Sequence, residues 1–180
     1  ATGASGIMGW LPYSGLYYTN FGATRTAAVM ALNAALYVPI TFASACTLSR
    51  IGVNISTGQA SGVVRLGIYS DSNGLPGSLI VDCGTVAAVT NGTFPEATIS
   101  QAVSAGTTWL AAVAQGSATG ASLRVYSVGA FVPSLTLATA ATGNPPACFL
   151  ESTTVSAGLP ATASPTSTTT QGPVIGVKVA

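Results

Sequence analysis

The sequence contains no histidine. That removes the usual general base and excludes Ser-His-Asp and Cys-His catalysis. It also removes the commonest transition-metal ligand. Ionisable groups of every kind are scarce: five Lys and Arg and four Asp and Glu make up 5% of the 180 residues, where soluble domains average roughly 25%. Five scattered cations cannot neutralise a run of phosphates, so no nucleic-acid partner is expected. No segment approaches the roughly 18 continuous apolar residues of a membrane span. The most apolar stretch, Ala27 to Ile40, is broken by Asn33 and Pro39, and no membrane insertion is expected. Neither GxGxxG nor GxxxxGK[ST] occurs, so no cradle for nucleotide phosphates is present.

Cysteine is also sparse. Cys46, Cys83 and Cys148 are odd in number and widely spaced, which is neither a disulfide framework nor a metal knuckle. They are expected to be buried free thiols acting as small hydrophobes, with one Cys pair or an intersubunit bond as the alternative. No metal and no cofactor are expected. The chain begins Ala-Thr-Gly-Ala-Ser, without a basic n-region. That start suits a short precursor trimmed of its Met or a piece of a longer chain. Without a secretory pattern, the glycosylation-like triplets Asn54-Ile55-Ser56 and Asn91-Gly92-Thr93 are read as chance.

What is present is short apolar alternation with period 2. Ile51, Val53 and Ile55 alternate with polar or small residues, as do Val64, Leu66 and Ile68. Ala97 and Ile99 follow the same pattern between Glu96, Thr98 and Ser100. Trp109, Ala111 and Val113 form one face of a further run. Leu123 and Val125 oppose Arg124 and Tyr126. Ile175, Val177 and Val179 oppose Gly176 and Lys178. Turn chemistry punctuates these runs. Asp71 to Gly77 is a dense turn signal, Asn91-Gly92 predicts a two-residue hairpin between 86–89 and 96–100, and 118–121 separates two more strands. Residues 27–35 carry mixed helix and strand preferences and are read as strand. Strands recurring every 10 to 15 residues or so predict an all-β chain, an antiparallel β-sandwich.

The predicted organisation is an N-terminal arm at 1–15, an assembly contact, followed by one sandwich domain at 16–180. Within it, 152–173 is a Ser/Thr/Pro/Ala/Gly tract, read as an extended loop without packing residues that returns to the sheet near Pro173. A surface with so little charge has little electrostatic repulsion between copies. Much of it is therefore expected to lie against neighbouring subunits, the alternative being a monomer coated with hydroxyls.

Candidate chemistry is limited. Among the carboxylates Asp71, Asp82, Glu96 and Glu151, only Asp71 and Asp82 suggest the facing pair of a glycosidase. Turn and strand-end roles account for them more simply, and no catalytic residue is assigned. The run Asp71-Ser72-Asn73-Gly74 opens like a calcium loop, but Ile80 stands where the bidentate Glu belongs. Trp10, Tyr13, Tyr17 and Tyr18 crowd the N-terminal segment. They are the candidate contacts, either for stacking on a glycan or for anchoring a subunit. The competing structural role is to cover the end of the core.

The ordered elements Tyr37-Val38-Pro39-Ile40, Leu48 to Val53, Val64 to Tyr69, Gly74-Leu75-Pro76-Gly77, Asp82 to Val86 and Gly106 to Ala111 resemble a jelly-roll-like β-sandwich domain of tailed-bacteriophage virion surface proteins. The similarity covers a little under half of the chain, and Cys83 stands where a small or aliphatic residue is expected. The resemblance implies a structural, non-enzymatic virion protein. It would be a tail- or head-fibre or appendage module, or a capsid-decorating subunit, assembled in the host cytoplasm and displayed on the virion surface. It implies a closed homo-oligomer, a trimer, bound to other virion proteins and involved in host attachment. The alternative function is a carbohydrate-binding module that recognises a host surface glycan.

Overall fold

The computed structural model describes residues 9–20, 24–127 and 148–180. Residues 1–8 of the expected arm lie outside the described residues. The elements are β1 (Tyr17–Thr19), β2 (Thr24–Val29), β3 (Ala35–Phe42), β4 (Cys46–Val53), β5 (Ile55–Thr57), β6 (Val63–Ser72), β7 (Leu75–Ala87), β8 (Glu96–Val103), β9 (Gly106–Gln115), β10 (Ser122–Ser127), β11 (Cys148–Glu151), β12 (Ser167–Thr169), β13 (Gly172–Pro173) and β14 (Ile175–Val179). Among the described residues there is no helix, and every pairing of these strands is antiparallel. Sheet I runs β12-β11-β3-β9-β6-β7, sheet II runs β1-β14-β4-β8, and in sheet III β10 pairs with β13, β2 and β5. The all-β, antiparallel expectation holds.

The period-2 runs explain the packing. Val38 and Ile40, Leu66 and Ile68, and Leu110 and Ala112 project from sheet I. They meet Leu48, Ile51 and Val53 of β4 and Ile175 and Val177 of β14 in one buried cluster. Each fully buried aliphatic side chain contributes about 1.5–3 kcal/mol. Two chain segments pass between sheets II and III at kinks, Asn54 between β4 and β5, and Val174 between β13 and β14. The backbone groups there are satisfied by Asn54 N to Val174 O, Arg124 N to Asn54 O and Val174 N to Arg124 O. The buried Asn20 side chain braces the second kink, donating to Pro173 O (3.0 Å) and accepting from Ile175 N (3.2 Å). The 27–35 segment is strand only in part. β2 ends at Val29, and the chain turns through Asn33 at φ 59° before β3 begins.

The dense turn signal at 71–77 resolves into the β6–β7 hairpin, turning on Asn73 and Gly74 with φ of 54° and 82°. Positive φ at both central positions matches the right-handed twist of the flanking strands, and Asn-Gly tolerates it. The Asn91-Gly92 expectation needs correction. A turn forms there, with Gly92 at φ 68°, but β7 belongs to sheet I and β8 to sheet II. The Asn91 side chain accepts from Gly58 N (2.7 Å) and Thr93 O accepts from Ile55 N (2.8 Å), so the loop is fastened as a corner to β5 and to the residue that follows it.

The 152–173 tract leaves sheet I after β11 and rejoins it within its own length at β12, before β13 enters sheet III, and it is not free of packing residues. Sheet I is apolar on both faces. Its outer face carries Tyr37, Tyr69, Trp109, Ala111 and Val113, and Val155, Leu159 and Ala163 of the tract bury against it. The tract also covers part of the 13-residue edge strand β7, through Leu79 N to Ala161 O and Ala163 N to Gly77 O, both 2.9 Å. A long open edge invites pairing with another chain, and this strap closes its first part, from Gly77 to Leu79.

Candidate functional site

The four candidate aromatics divide by strand alternation. In β1, Tyr18 faces inward opposite Val177 and Tyr17 faces outward opposite Lys178. Tyr18 is buried, with its ring edge-on to Phe42 at 5.9 Å and to Trp10 at 5.7 Å. Its hydroxyl accepts from Tyr13 N (2.7 Å) and donates to Leu11 O (2.8 Å). Trp10 is half-buried and pinned by its backbone, donating to Thr41 O at 2.8 Å and accepting from Ala43 N at 2.9 Å. Trp10 and Tyr18 therefore cover the end of the core. Tyr13 is 61% exposed and Tyr17 46% exposed, beside the exposed Leu11 and Leu16.

Tyr17 stands on the outer face of sheet II. Cross-strand register places Tyr17, Lys178, Arg50 and Thr98 in one row and Thr19, Gly176, Gly52 and Glu96 in the next. Two glycines side by side leave a hollow, and the Phe94 ring lies in it. A Cβ at Gly52 would come within 2.6 Å of the ring, and one at Gly176 within 2.8 Å. The Tyr17 ring meets Phe94 edge-on at 6.2 Å, and its hydroxyl donates to Glu96 Oε2 at 2.5 Å. That bond, chiefly, raises the Tyr17 phenol above its ordinary pKa. Arg50 Nε lies 3.6 Å from Glu96 Oε1 and Arg50 Nη1 donates to Thr98 Oγ1 at 2.6 Å. The Lys178 ammonium sits 5.6 Å over the Tyr17 ring. Beside the rings is an open depression of about 490 Å³, bordered by Arg25, Asn54, Thr19 and Val174. Phe94 and Arg25 were not singled out from sequence. No local pattern marks them, because register and the corner at 88–95 bring them to Tyr17.

The other carboxylates are engaged elsewhere. Asp71 accepts from Gly74 N (3.1 Å) and from the buried Trp109 Nε1 (2.8 Å). Asp82 accepts from Arg65 Nη1 (3.0 and 2.8 Å), Gly84 N (2.9 Å) and Leu159 N (3.0 Å). Burial works against ionisation of Asp82, but the Leu159 and Gly84 amides and then Arg65 outweigh it and hold its pKa low. Asp82 pairs with Gly67, four positions along β6 from Asp71, which sets the two roughly 13 Å apart. Glu151 is buried at 3% exposure. It accepts from Tyr37 Oη (2.7 Å), Thr153 Oγ1 (2.6 Å) and Ser164 N (2.9 Å), and these bonds outweigh burial and lower its pKa.

The three cysteines are free thiols, with Cys148 buried and Cys46 and Cys83 half-buried. Burial raises all three, Cys83 to about 12 with help from the Asp82 charge. Among the described residues no group of three or more acidic or Cys side chains could hold a metal ion. No protein-family model matches the chain, and no curated protein matches it.

Proposed function

We propose that the chain is a structural, non-catalytic module of a tailed-phage virion surface, a jelly-roll-like sandwich that works by packing against copies of itself and other virion proteins. The observation that carries this is the edge of sheet II. Strand β8 spans eight residues at the end of that sheet, with one charge, no Lys and no Pro to discourage pairing. The exposed Leu11 and Tyr13, within the expected assembly arm, and Leu16 just after it add apolar surface. The absence of histidine and the supporting roles of all four carboxylates agree with a protein that does no proton chemistry. Fibre, appendage and capsid decoration are all compatible uses of such a module.

The test is oligomeric mass by sedimentation at low micromolar concentration. A trimer is expected, the number following from the family resemblance. Ser100→Lys with Ala102→Lys places charges on the exposed side of β8 and should give a folded monomer. A chain that stays monomeric at the highest attainable concentration, with or without the substitutions, refutes self-assembly. The second reading, glycan binding, is favoured by one feature, the paired rings and cations around Tyr17.

A further inference from the structure

The outer face of sheet II, together with the neighbouring β2 of sheet III, concentrates what the rest of the molecule lacks. Three of the five cations, Arg25, Arg50 and Lys178, and one of the four carboxylates, Glu96, gather around two aromatic rings. The single carboxylate is already engaged by Arg50 and the Tyr17 hydroxyl. Among the described residues Arg25 meets no carboxylate; its guanidinium lies 5.8 Å from the Tyr126 ring and donates to that hydroxyl at 3.5 Å. The Asn54 side-chain amide likewise makes no hydrogen bond among them, although Asn54 is held firmly by its backbone at the kink. Of these charged residues Arg25 and Glu96 line the depression; Glu96 is taken up by Arg50 and Tyr17, so the charge left to a ligand there is the Arg25 cation, and the volume falls in the range of small-molecule sites.

We infer that this depression binds an acidic saccharide, a pyranose bearing a carboxylate. The apolar face of the sugar would lie against one of the two rings, with the other, nearly perpendicular to it, at the sugar's edge; its carboxylate would accept from Arg25, and its hydroxyls would meet Asn54 and Thr19. The rings are pre-organised, Phe94 by its glycine bed and Tyr17 by its bond to Glu96, so little side-chain freedom is lost on binding. A neutral sugar would leave the Arg25 charge unused. A polyanionic nucleic acid would need more phosphate contacts than one small face supplies.

The inference deepens the glycan-binding reading and is independent of self-assembly, so failure of either leaves the other standing. The test is calorimetry and saturation-transfer NMR on the full chain. The first probe is trigalacturonic acid, with its methyl ester as the neutral control, and 3′-sialyllactose against lactose forms a second pair. At least one acid should bind about tenfold more tightly than its neutral counterpart, and Arg25→Gln should remove that advantage. Tyr17→Ala should weaken acid and neutral probes alike, whereas Tyr17→Phe, which keeps the ring, should retain binding. Near-UV circular dichroism checks that each variant is folded. No binding by either acid at low millimolar concentration, equal binding of acid and neutral forms, or affinity indifferent to Arg25→Gln would overturn the assignment.

Discussion

Glu151→Ala tests how the strap is held. The wild-type carboxylate is buried, and among the described residues no cation pairs with it. Its three donors differ in what they lose. Thr153 and Ser164 are exposed and can turn to water, whereas Tyr37 is fully buried. Losing that acceptor, with only the Tyr69 hydroxyl left beside the buried Tyr37 hydroxyl, costs about 1–3 kcal/mol. Loosening Val155, Leu159 and Ala163 from the outer face of sheet I adds to it, for a total of about 2–4 kcal/mol. Urea denaturation reads this as a fall in midpoint. The double variant Tyr37→Phe/Glu151→Ala should lose less than the sum of its parts, because the hydroxyl that lost its acceptor is gone.

The pH dependence gives a second measurement. Glu151 and Asp82 are both lowered in the folded state. Their contribution is fully present above the ordinary carboxylate range and is lost as pH falls through the lowered values. Wild-type stability should therefore be flat near neutrality and decline below about pH 4.5. Glu151→Gln should be less stable at pH 7 and show a shallower acid decline, the remainder belonging to Asp82. A cost under about 0.5 kcal/mol for Glu151→Ala, additive double-variant losses, or an acid decline unchanged in Glu151→Gln would refute the strap mechanism.

Three further outcomes follow from named contacts. Gly120→Ala would place a Cβ 1.7 Å from the Met30 carbonyl oxygen, so backbone must shift, and chemical denaturation should show a loss of about 1–3 kcal/mol or more. Asn20→Ala leaves Pro173 O and Ile175 N unsatisfied at a buried kink and should cost about 1–3 kcal/mol by the same assay. Raised thiol pKa values leave little thiolate at pH 8. Alkylation counted by mass should be slow in the folded chain, with Cys148 last to react, and fast in urea.

Much of the sandwich was legible because alternation survives wherever a strand has one wet face. β8 alternates exposed and half-buried along most of its length, and 96–100 shows it in sequence. β9 was half legible. Trp109, Ala111 and Val113 were read as one face, yet Leu110, Ala112 and Ala114 are buried as well, because β9 lies between the core and the strap. A continuous apolar run is what a doubly covered strand requires. The strap itself was missed because Val155, Leu159 and Ala163 are spaced by four in a Ser/Thr background, a pattern matching neither a strand nor a helix rich in apolar residues. Asn91-Gly92 misled because a local turn signal fixes a change of direction and says nothing about which sheet receives the next strand. For the site, Tyr17 and Tyr18 were marked equally by composition. Only the pairing of β1 with β14 turns one outward and the other inward.

The scarcity of charge takes on a different meaning once its placement is known. Every carboxylate is committed internally: Asp71 to a turn and Trp109, Asp82 to Arg65 and the strap, Glu96 to Arg50 and Tyr17, Glu151 to Tyr37 and the strap. The cations are not. Among the described residues Arg25, Arg124 and Lys178 form no ion pair. A net charge of +1 therefore hides an asymmetry in which acids buttress the fold and the unpaired charge on the surface is basic. Such a surface repels copies too weakly to prevent close packing, while Arg25 on β2, beside the outer face of sheet II, remains available to an anion. Self-association would use the far side of β8, around Ser100 and Ala102, whereas recognition of an acidic sugar would use the Tyr17 side of sheet II with Arg25 of β2, and of the acids only Glu96, which orients Tyr17, takes part.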